Sequence, residues 1–311
     1  MINANIVFSL SGFNDTTTRH RVTLFSLTLL CYAVICFVNV ALIITIILDE
    51  KLHQTMYIFI CNLCTNSLYG TAAFYPKFLF DLLSNTNVIS YTGCMLQVFV
   101  IYTYVAIDFV ILTVMAYDRF VAICRPLQYH SVMTKHRVVL LMCYSSLVPL
   151  FGQIVVMIMT SKIELCGTHI EKLYCENWSI IKLSCSPLTT NNIVGLMLIF
   201  FYFSHDLFVF CSYVLLVKSA LKSRDNWSKF MQTCVPNLLC LLNVTVVLFF
   251  DLMYARYGSA SMSQSVRNFM AIQFLMIPPI LNPIIYGLIL SQVRCSFLKL
   301  CRYSRQVKGL G

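Results

Sequence analysis

Few residues of this chain could do chemistry within long apolar runs, and most of them are acids or bases. Asp118 and Arg119 form an adjacent acid–base pair at the end of one run, and Asp108 lies eleven residues before Arg119. His205 and Asp206 form a second adjacent pair in another run. Ionisable residues inside a membrane segment are rare, are usually paired, and mark functional sites. For the His205–Asp206 pair, a pH-sensitive role and a purely structural role both remain open.

No residue set in the sequence matches a common catalytic or metal centre. The HExxH and GxSxG patterns of metalloproteases and hydrolases are absent. His53, His130 and His136 lack the spacing of metal ligands. We therefore expect no enzymatic activity, no cofactor and no metal site.

The composition is that of a membrane protein. Of 311 residues, 59% are hydrophobic and 11% are charged, whereas soluble domains are about 25% charged. The mean hydropathy is +0.79, which excludes intrinsic disorder. The formal net charge of +10 comes from basic residues between apolar runs. These residues are expected to face anionic membrane lipid and not nucleic acid.

Seven stretches are long and apolar enough to span a bilayer, which takes about 20 residues per helix. They cover residues 22–48, 56–83, 94–118, 136–160, 190–217, 230–255 and 267–290. The predicted fold is an all-α membrane protein, a seven-transmembrane helix bundle forming a single domain over 1–311. The predicted parts are an extracellular N-terminus (1–21), the bundle (22–290) and a cytoplasmic tail (291–311). In this orientation, 14 Lys and Arg residues lie on the inner side and seven on the outer side. That asymmetry predicts an N-terminus outside.

Several residues near the two membrane faces are candidate modification sites. Cys94, Cys166, Cys175 and Cys185 fall on the outer side, and four cysteines facing an oxidising compartment predict two disulfides with three possible pairings. Asn14 and Asn177 begin outer Asn-X-Ser/Thr glycosylation acceptors. Two further cysteines flank the inner face beside basic residues and are candidate palmitoylation sites. These are Cys295 and Cys301.

Two longer motifs resemble those of a known family. The third run ends in MAYDRFVAICRPLQYH, from Met115 to His130, and the seventh in PPILNPIIYGL, from Pro278 to Leu288. Together they resemble the rhodopsin-like G-protein-coupled receptors, and specifically the odorant receptors. LHQTMYIFICNLC, Ser212-Tyr213 and KFMQTC match as well, while LYGTAAFYPKFL is similar to the fish-type branch. The resemblance covers nearly the whole chain and implies a short basic amphipathic helix after helix 7.

The resemblance implies an activation switch at the inner end of the bundle. Arg119 would be held by Asp118 at rest and released towards a G protein, while two tyrosines swing inward. Pro283 removes a backbone donor and so softens the seventh helix. The implied switch residues are Asp118, Arg119, Tyr213, Asn282, Pro283 and Tyr286. The alternative for Arg119 is extension of its side chain to the lipid headgroups.

The resemblance also implies the disulfide pairing and the ligand pocket. Cys94 would pair with Cys175, closing a lid over the bundle mouth, and Cys166 with Cys185. A small molecule would lie between the outer halves of helices 3, 5, 6 and 7. The candidate pocket residues are Ile101, Tyr102, Val105, Met197, Leu198, Phe201, Thr245, Leu248, Phe249, Asn268 and Ile272. Simple helix packing is the alternative for each of them.

The sequence departs from the family pattern in the second helix. Ser67 stands where odorant receptors usually have an acid, whereas Asp108 occupies the position of a second acid in the third helix. One hypothesis is a weakened sodium or proton site formed by Asp108 with Ser67 and Asn282. The other is a neutral, hydrogen-bonded Asp108 without an ion, since burial favours the neutral carboxyl.

The predicted function is that of an odorant receptor. It would bind a small-molecule odorant and activate a stimulatory heterotrimeric G protein, raising cAMP, at the plasma membrane of olfactory sensory cilia. A related chemoreceptor outside olfactory tissue is an alternative. A seven-helix transporter or channel is another, but it would need an internal repeat or a continuous polar path, and the sequence shows neither.

Overall fold

The protein is described here by a computed structural model. It describes residues 6–12, 18–84, 87–186, 189–221, 227, 230–231, 234–235, 237–246 and 264–308. These ranges contain ten α-helices. Seven of them correspond to the predicted spans: α1 (Thr18–Leu48), α2 (Thr55–Leu83), α3 (Tyr91–Cys124), α5 (Lys135–Ser161), α7 (Thr189–Ala220), α8 (Asn237–Val246) and α9 (Gln264–Ile289). The other three are α4 (Tyr129–Val132), α6 (Asn177–Ile181) and α10 (Ser291–Lys308).

The helix boundaries follow the apolar runs closely, with one informative difference. Helix α3 continues beyond the predicted end at residue 118 as far as Cys124. Hydropathy marks the part of a helix that lies in lipid, whereas backbone hydrogen bonding continues into the polar region. The additional turns therefore carry the end of α3, with Arg125 as its C-terminal cap, past the predicted inner face.

The outer faces of several helices are suited to lipid. Four described helices are long and apolar enough to cross a membrane, and a bent pair, Leu275–Ile289 with Ser291–Leu300, would make a fifth span. Phe37, Leu147 and Phe210 each expose more than half of their side-chain surface. Large exposed apolar faces of this kind require an apolar environment. The all-α, membrane-spanning architecture predicted from the sequence is confirmed.

Helix α3 lies at the centre of the bundle and packs against α2, α5 and α7. A second junction joins α1 to α9, where Asn39 Nδ2 donates to the Pro279 carbonyl oxygen at 2.8 Å. Pro283, four residues later, has no backbone N–H, so this carbonyl lacks its helical donor. Asn39 supplies the missing hydrogen bond and thereby fixes the softened segment of α9 to α1.

A small three-stranded sheet covers the outer end of the bundle, and the sequence did not predict it. Strand β1 (Val7–Leu10) lies between β2 (Val88–Ser90), to which it is antiparallel, and β3 (His169–Ile170), to which it is parallel. Phe8 is fully buried in a cluster with Cys94 and Cys175. The segment predicted only as an extracellular N-terminus therefore closes part of the bundle mouth.

At the inner end, α10 turns away from α9 by 92°. Ser296 Oγ donates to Asp49 Oδ2 at 2.5 Å, which joins α10 to the turn after α1. This hydrogen bond, with a smaller contribution from the Lys51 N–H, lowers the pKa of Asp49. Cys295 is exposed on α10, and the side chain of Cys301 lies outside the described residues. The amphipathic helix expected after the seventh span is thus present.

Candidate functional site

Two disulfides fix the outer loop that follows α5. Cys94 bonds to Cys175 and Cys166 to Cys185, which is the pairing implied by the resemblance. Gln97, one turn after Cys94, accepts a hydrogen bond from the Cys175 N–H at 2.9 Å. Its amide also donates to the Ala73 carbonyl on α2 at 3.2 Å. The loop is therefore attached to both α2 and α3 at the bundle mouth.

Below this loop lies a cavity of about 300 Å³ between α3, α5 and α7. Helix α6 and Thr245 of α8 complete its lining. The residues of α7 that line the cavity have helical spacing: Asn191, Val194, Gly195, Leu198, Ile199, Tyr202, Phe203 and Asp206. An apolar cleft of this size with a few polar groups is the usual form of a small-molecule site. We call it the outer cavity.

The outer cavity contains some of the predicted pocket residues but not all. Four line it: Tyr102, Val105, Leu198 and Thr245. Ile101 and Ile272 pack in the neighbouring apolar core. Leu248 and Phe249 lie outside the described residues, as does the side chain of Asn268. The cavity also extends to α5, which the sequence analysis did not include.

Two predicted pocket residues on α7 require correction. Met197 is 65% exposed and faces outward, and Phe201 is also exposed. Counting from the Tyr213 motif gave the correct depth along the helix but a wrong rotation, because the apolar residues of α7 occur on every face. Neighbouring positions, Leu198 and Tyr202, face the cavity in their place.

His205 and Asp206 do not pair with each other. His205 Nδ1 is 3.0 Å from the Phe201 carbonyl oxygen, and its Nε2 is 2.9 Å from the Tyr144 hydroxyl. The Thr245 hydroxyl donates to Asp206 Oδ1 at 3.1 Å. The two side chains diverge because consecutive helical residues point about 100° apart. The predicted pair is thus replaced by two contacts, α7 to α5 and α7 to α8.

At the inner end, Arg119 is held by Asp118, and its Nε lies 2.9 Å from Asp118 Oδ2. Tyr129 of α4 donates its hydroxyl to the other carboxylate oxygen at 2.8 Å. Burial, followed by the nearby Asp118 charge, raises the pKa of Tyr129, so the hydroxyl stays protonated as a donor. Arg119 is therefore paired in this arrangement, and its side chain does not extend towards lipid headgroups.

Asn237 joins three helices near this pair. Its Nδ2 donates to the Tyr213 hydroxyl at 3.0 Å and lies 3.3 Å from the Leu112 carbonyl oxygen, and its Oδ1 accepts from the Tyr286 hydroxyl at 3.2 Å. We call these four residues the Asn237 hub. The sequence motifs indicate both tyrosines, whereas one asparagine after Pro236 gives no signal of its own.

Asn237→Leu is expected to destabilise the receptor. The substitution removes three buried hydrogen bonds, and each contributes about 0.5–1.5 kcal/mol to net stability. Thermal unfolding of the purified receptor should show a lower melting temperature. Asn243→Leu on the same helix is the matched control, since Asn243 Nδ2 has no hydrogen-bond partner in the described part of the chain. Equal melting temperatures for the two variants would contradict a structural role for the hub.

Asp108 is buried on α3 and is bonded to a side chain of α2. Asn66 Nδ2 donates to Asp108 Oδ1 at 2.7 Å. Within the described part of the chain, Asp108 Oδ2, Ser67 Oγ and both side-chain polar atoms of Asn282 have no hydrogen-bond partner. Buried polar atoms usually have a partner, so a proton, a water or an ion would complete the bonding of these atoms.

The two predicted glycosylation sites differ in their placement. Asn14 lies outside the described residues. Asn177 begins α6 and lines the outer cavity, and its Oδ1 accepts from Thr160 Oγ1 at 2.9 Å. This hydrogen bond uses Oδ1, whereas a glycan is attached through Nδ2, so glycosylation at Asn177 stays a prediction.

Comparisons with known proteins identify relatives over most of the chain. The sequence model of the family described as "Olfactory receptor" matches residues 28–302. Olfactory receptor 1D2 of Pan troglodytes is 34% identical over 288 residues, covering 90% of each chain. Olfactory receptor 52D1 of Homo sapiens is 31% identical over 277 residues and 86% of each chain. Squid rhodopsin has a similar fold, with a TM-score of 0.76 at 14% identity over 93% of this chain and 87% of its own.

Proposed function

Because the chain belongs to the olfactory receptor family, we propose that it binds a small-molecule odorant in the outer cavity and activates a stimulatory heterotrimeric G protein. The family consists of multi-pass membrane receptors that signal and are not enzymes. The observation that carries the proposal is an outer cavity on the same bundle as a paired Arg119. Residence in the plasma membrane of olfactory cilia is part of the proposal.

The proposal includes a route from the cavity to the switch. Thr245 lines the cavity on α8, and Asn237 lies on the same helix. A ligand that moves α8 at Thr245 would therefore strain the contacts of Asn237 with Tyr213 and Tyr286. The proposed receptor exists in a resting and an active state. A ligand shifts the equilibrium between them only by the difference in its affinity for the two states.

The test is cAMP accumulation in cells that express the receptor with or without a stimulatory olfactory-type G protein. An odorant mixture is the stimulus, and surface receptor is quantified in parallel. A response that requires the G protein supports the proposal. A transmembrane current or uptake signal that does not need it would refute the proposal in favour of a channel or transporter.

For Asp108, the proposal is a sodium or proton site formed with Ser67 and Asn282. Asp108 Oδ2 and Ser67 Oγ support it, since neither has a hydrogen-bond partner among the described residues. NaCl is expected to raise the melting temperature of the purified receptor more than choline chloride does, because a ligand of the folded state stabilises it. Asp108→Asn should remove this difference. An equal response of the unmodified receptor to both salts would leave Asp108 as a neutral carboxyl.

The remaining site proposals concern covalent modification. Exposure of Cys295 on α10 supports palmitoylation there, and the same is proposed for Cys301. Glycosylation is proposed at Asn14 and Asn177. Incorporation of a labelled palmitate analogue, compared between the receptor and Cys295→Ser, tests the first of these.

A further inference from the structure

The described residues in the wall of the outer cavity include acidic side chains and no basic ones. Among its described lining residues, Glu176 and Asp206 are acids, and no Lys, Arg or His is present. Glu176 Oε2 lies 2.9 Å from Lys172 Nζ, so its charge is already paired. Asp206 forms no ion pair within the described residues, and its partner there is the Thr245 hydroxyl.

A half-buried carboxylate bonded to a neutral hydroxyl is incompletely compensated. Removing a charge from water is costly unless an opposite charge and good hydrogen bonds replace the lost solvation. A cation that entered the cavity would supply that opposite charge. The aromatic rings of Tyr102, Phe109 and Tyr202 also line the cavity, and such rings attract cations through their faces.

A second observation indicates that the cavity receives a polar ligand. Gln153 of α5 is buried and lines the cavity, and its Nε2 has no hydrogen-bond partner among the residues that the structure describes. An amide donor is left unsatisfied at a cost unless an acceptor occupies the site. An oxygen of the ligand would satisfy it.

From the proposed receptor function we infer that the ligand class is a compact, largely apolar primary amine whose ammonium group binds Asp206. An ether, hydroxyl or carbonyl oxygen on the same molecule would accept from Gln153. The cavity volume of about 300 Å³ is at the lower end for small-molecule sites, so the ligand is small.

Binding at Asp206 also provides a means of signalling. The Asp206–Thr245 hydrogen bond joins α7 to α8 at the cavity. An ammonium group at Asp206 competes with the Thr245 hydroxyl for the carboxylate. This competition loosens the contact between α7 and α8, and α8 is the helix that carries Asn237.

The experiment compares primary amines with alcohols of the same carbon skeleton. The panel contains butylamine to decylamine, 2-phenylethylamine and 3-methoxypropylamine, each beside its alcohol. The readouts are the melting temperature of the purified full-length receptor and cAMP in cells. At least one amine is expected to bind roughly ten-fold more tightly than its alcohol, and Asp206→Asn should remove that advantage.

Two variants serve as controls for charge and for folding. Glu176→Gln removes the other carboxylate of the cavity and is expected to keep the preference for amines, because Glu176 is already paired with Lys172. Asp206→Asn keeps an oxygen that can accept from Thr245. Should that variant not reach the cell surface, the amine–alcohol comparison on the unmodified receptor decides alone.

The outcomes separate the ligand class from the receptor function. Alcohols that bind as tightly as their amines, or a panel in which no amine binds, would overturn the amine assignment. If the odorant mixture still raised cAMP, the receptor function would stand. Amines that stabilise the purified receptor without any G-protein response would instead support the ligand class and refute the proposed function.

Discussion

Arg119→Ala is expected to abolish ligand-dependent cAMP production. In the structure the guanidinium group is held by Asp118, itself bonded to Tyr129. If the proposed switch is correct, release of this group towards the G protein is the step that transmits the signal. Loss of a charge-paired group at a protein interface weakens binding by about 2–5 kcal/mol. The affinity for the partner then falls by about 30-fold or more. The measurement is cAMP, normalised to surface receptor.

The matched control for this variant is Arg125→Ala. Arg125 caps the C-terminus of α3 and is exposed, so its removal takes away one positive charge from the same end of the helix. Most of the response should remain. Asp118→Asn should do the opposite of Arg119→Ala and raise basal cAMP, because it frees the arginine. A normal response of Arg119→Ala would contradict the switch.

Loss of the Cys94–Cys175 disulfide is expected to prevent most of the receptor from reaching the cell surface. The bond closes a segment of 81 residues, for which the chain-entropy estimate is about 4–5 kcal/mol. Both cysteines are fully buried, so a free thiol would also disturb the packing around them. Surface labelling of Cys94→Ser and of the Cys94→Ser/Cys175→Ser double variant measures the effect.

Two comparisons give this prediction its controls. Cys166→Ser opens a shorter segment of 19 residues, worth about 3 kcal/mol on the same estimate, and should be less harmful. Cys143→Ser changes an exposed free cysteine and should have little effect. Surface levels of the Cys94 variants similar to that of Cys143→Ser would contradict a structural role for the bond.

The sequence predicted the helices well because lipid imposes a simple rule on it. A span must be long and apolar, so the ends of the runs and the observed ends of α2 and α5 differ by a residue or less. The Asp118–Arg119 contact was also predictable, since the two residues are adjacent within a specific motif. The disulfide pairing came from resemblance alone, as spacing left three possibilities.

Features that depend on rotation or on distant contacts were less predictable. Met197 and Leu198 are neighbours with similar hydropathy, yet one faces outward and the other lines the cavity. When both the outside and the inside of a helix are apolar, the pattern does not define its rotation. Asn237 depends on partners from three other helices, and β1 is only four residues long. Neither leaves a local pattern.

The position of β1 in the sequence determines when the outer sheet can form during biosynthesis. This strand is translated early, but its partner His169 follows Ser9 by 160 residues. At a translation rate of about 5–20 residues per second, β3 is synthesised roughly ten to thirty seconds after β1. During this time one edge of β1 is unpaired and Phe8 is uncovered. Unpaired edges of this kind invite wrong partners. Closure of the sheet is thus a late event, and antibodies against residues 7–10 would distinguish nascent from mature receptor.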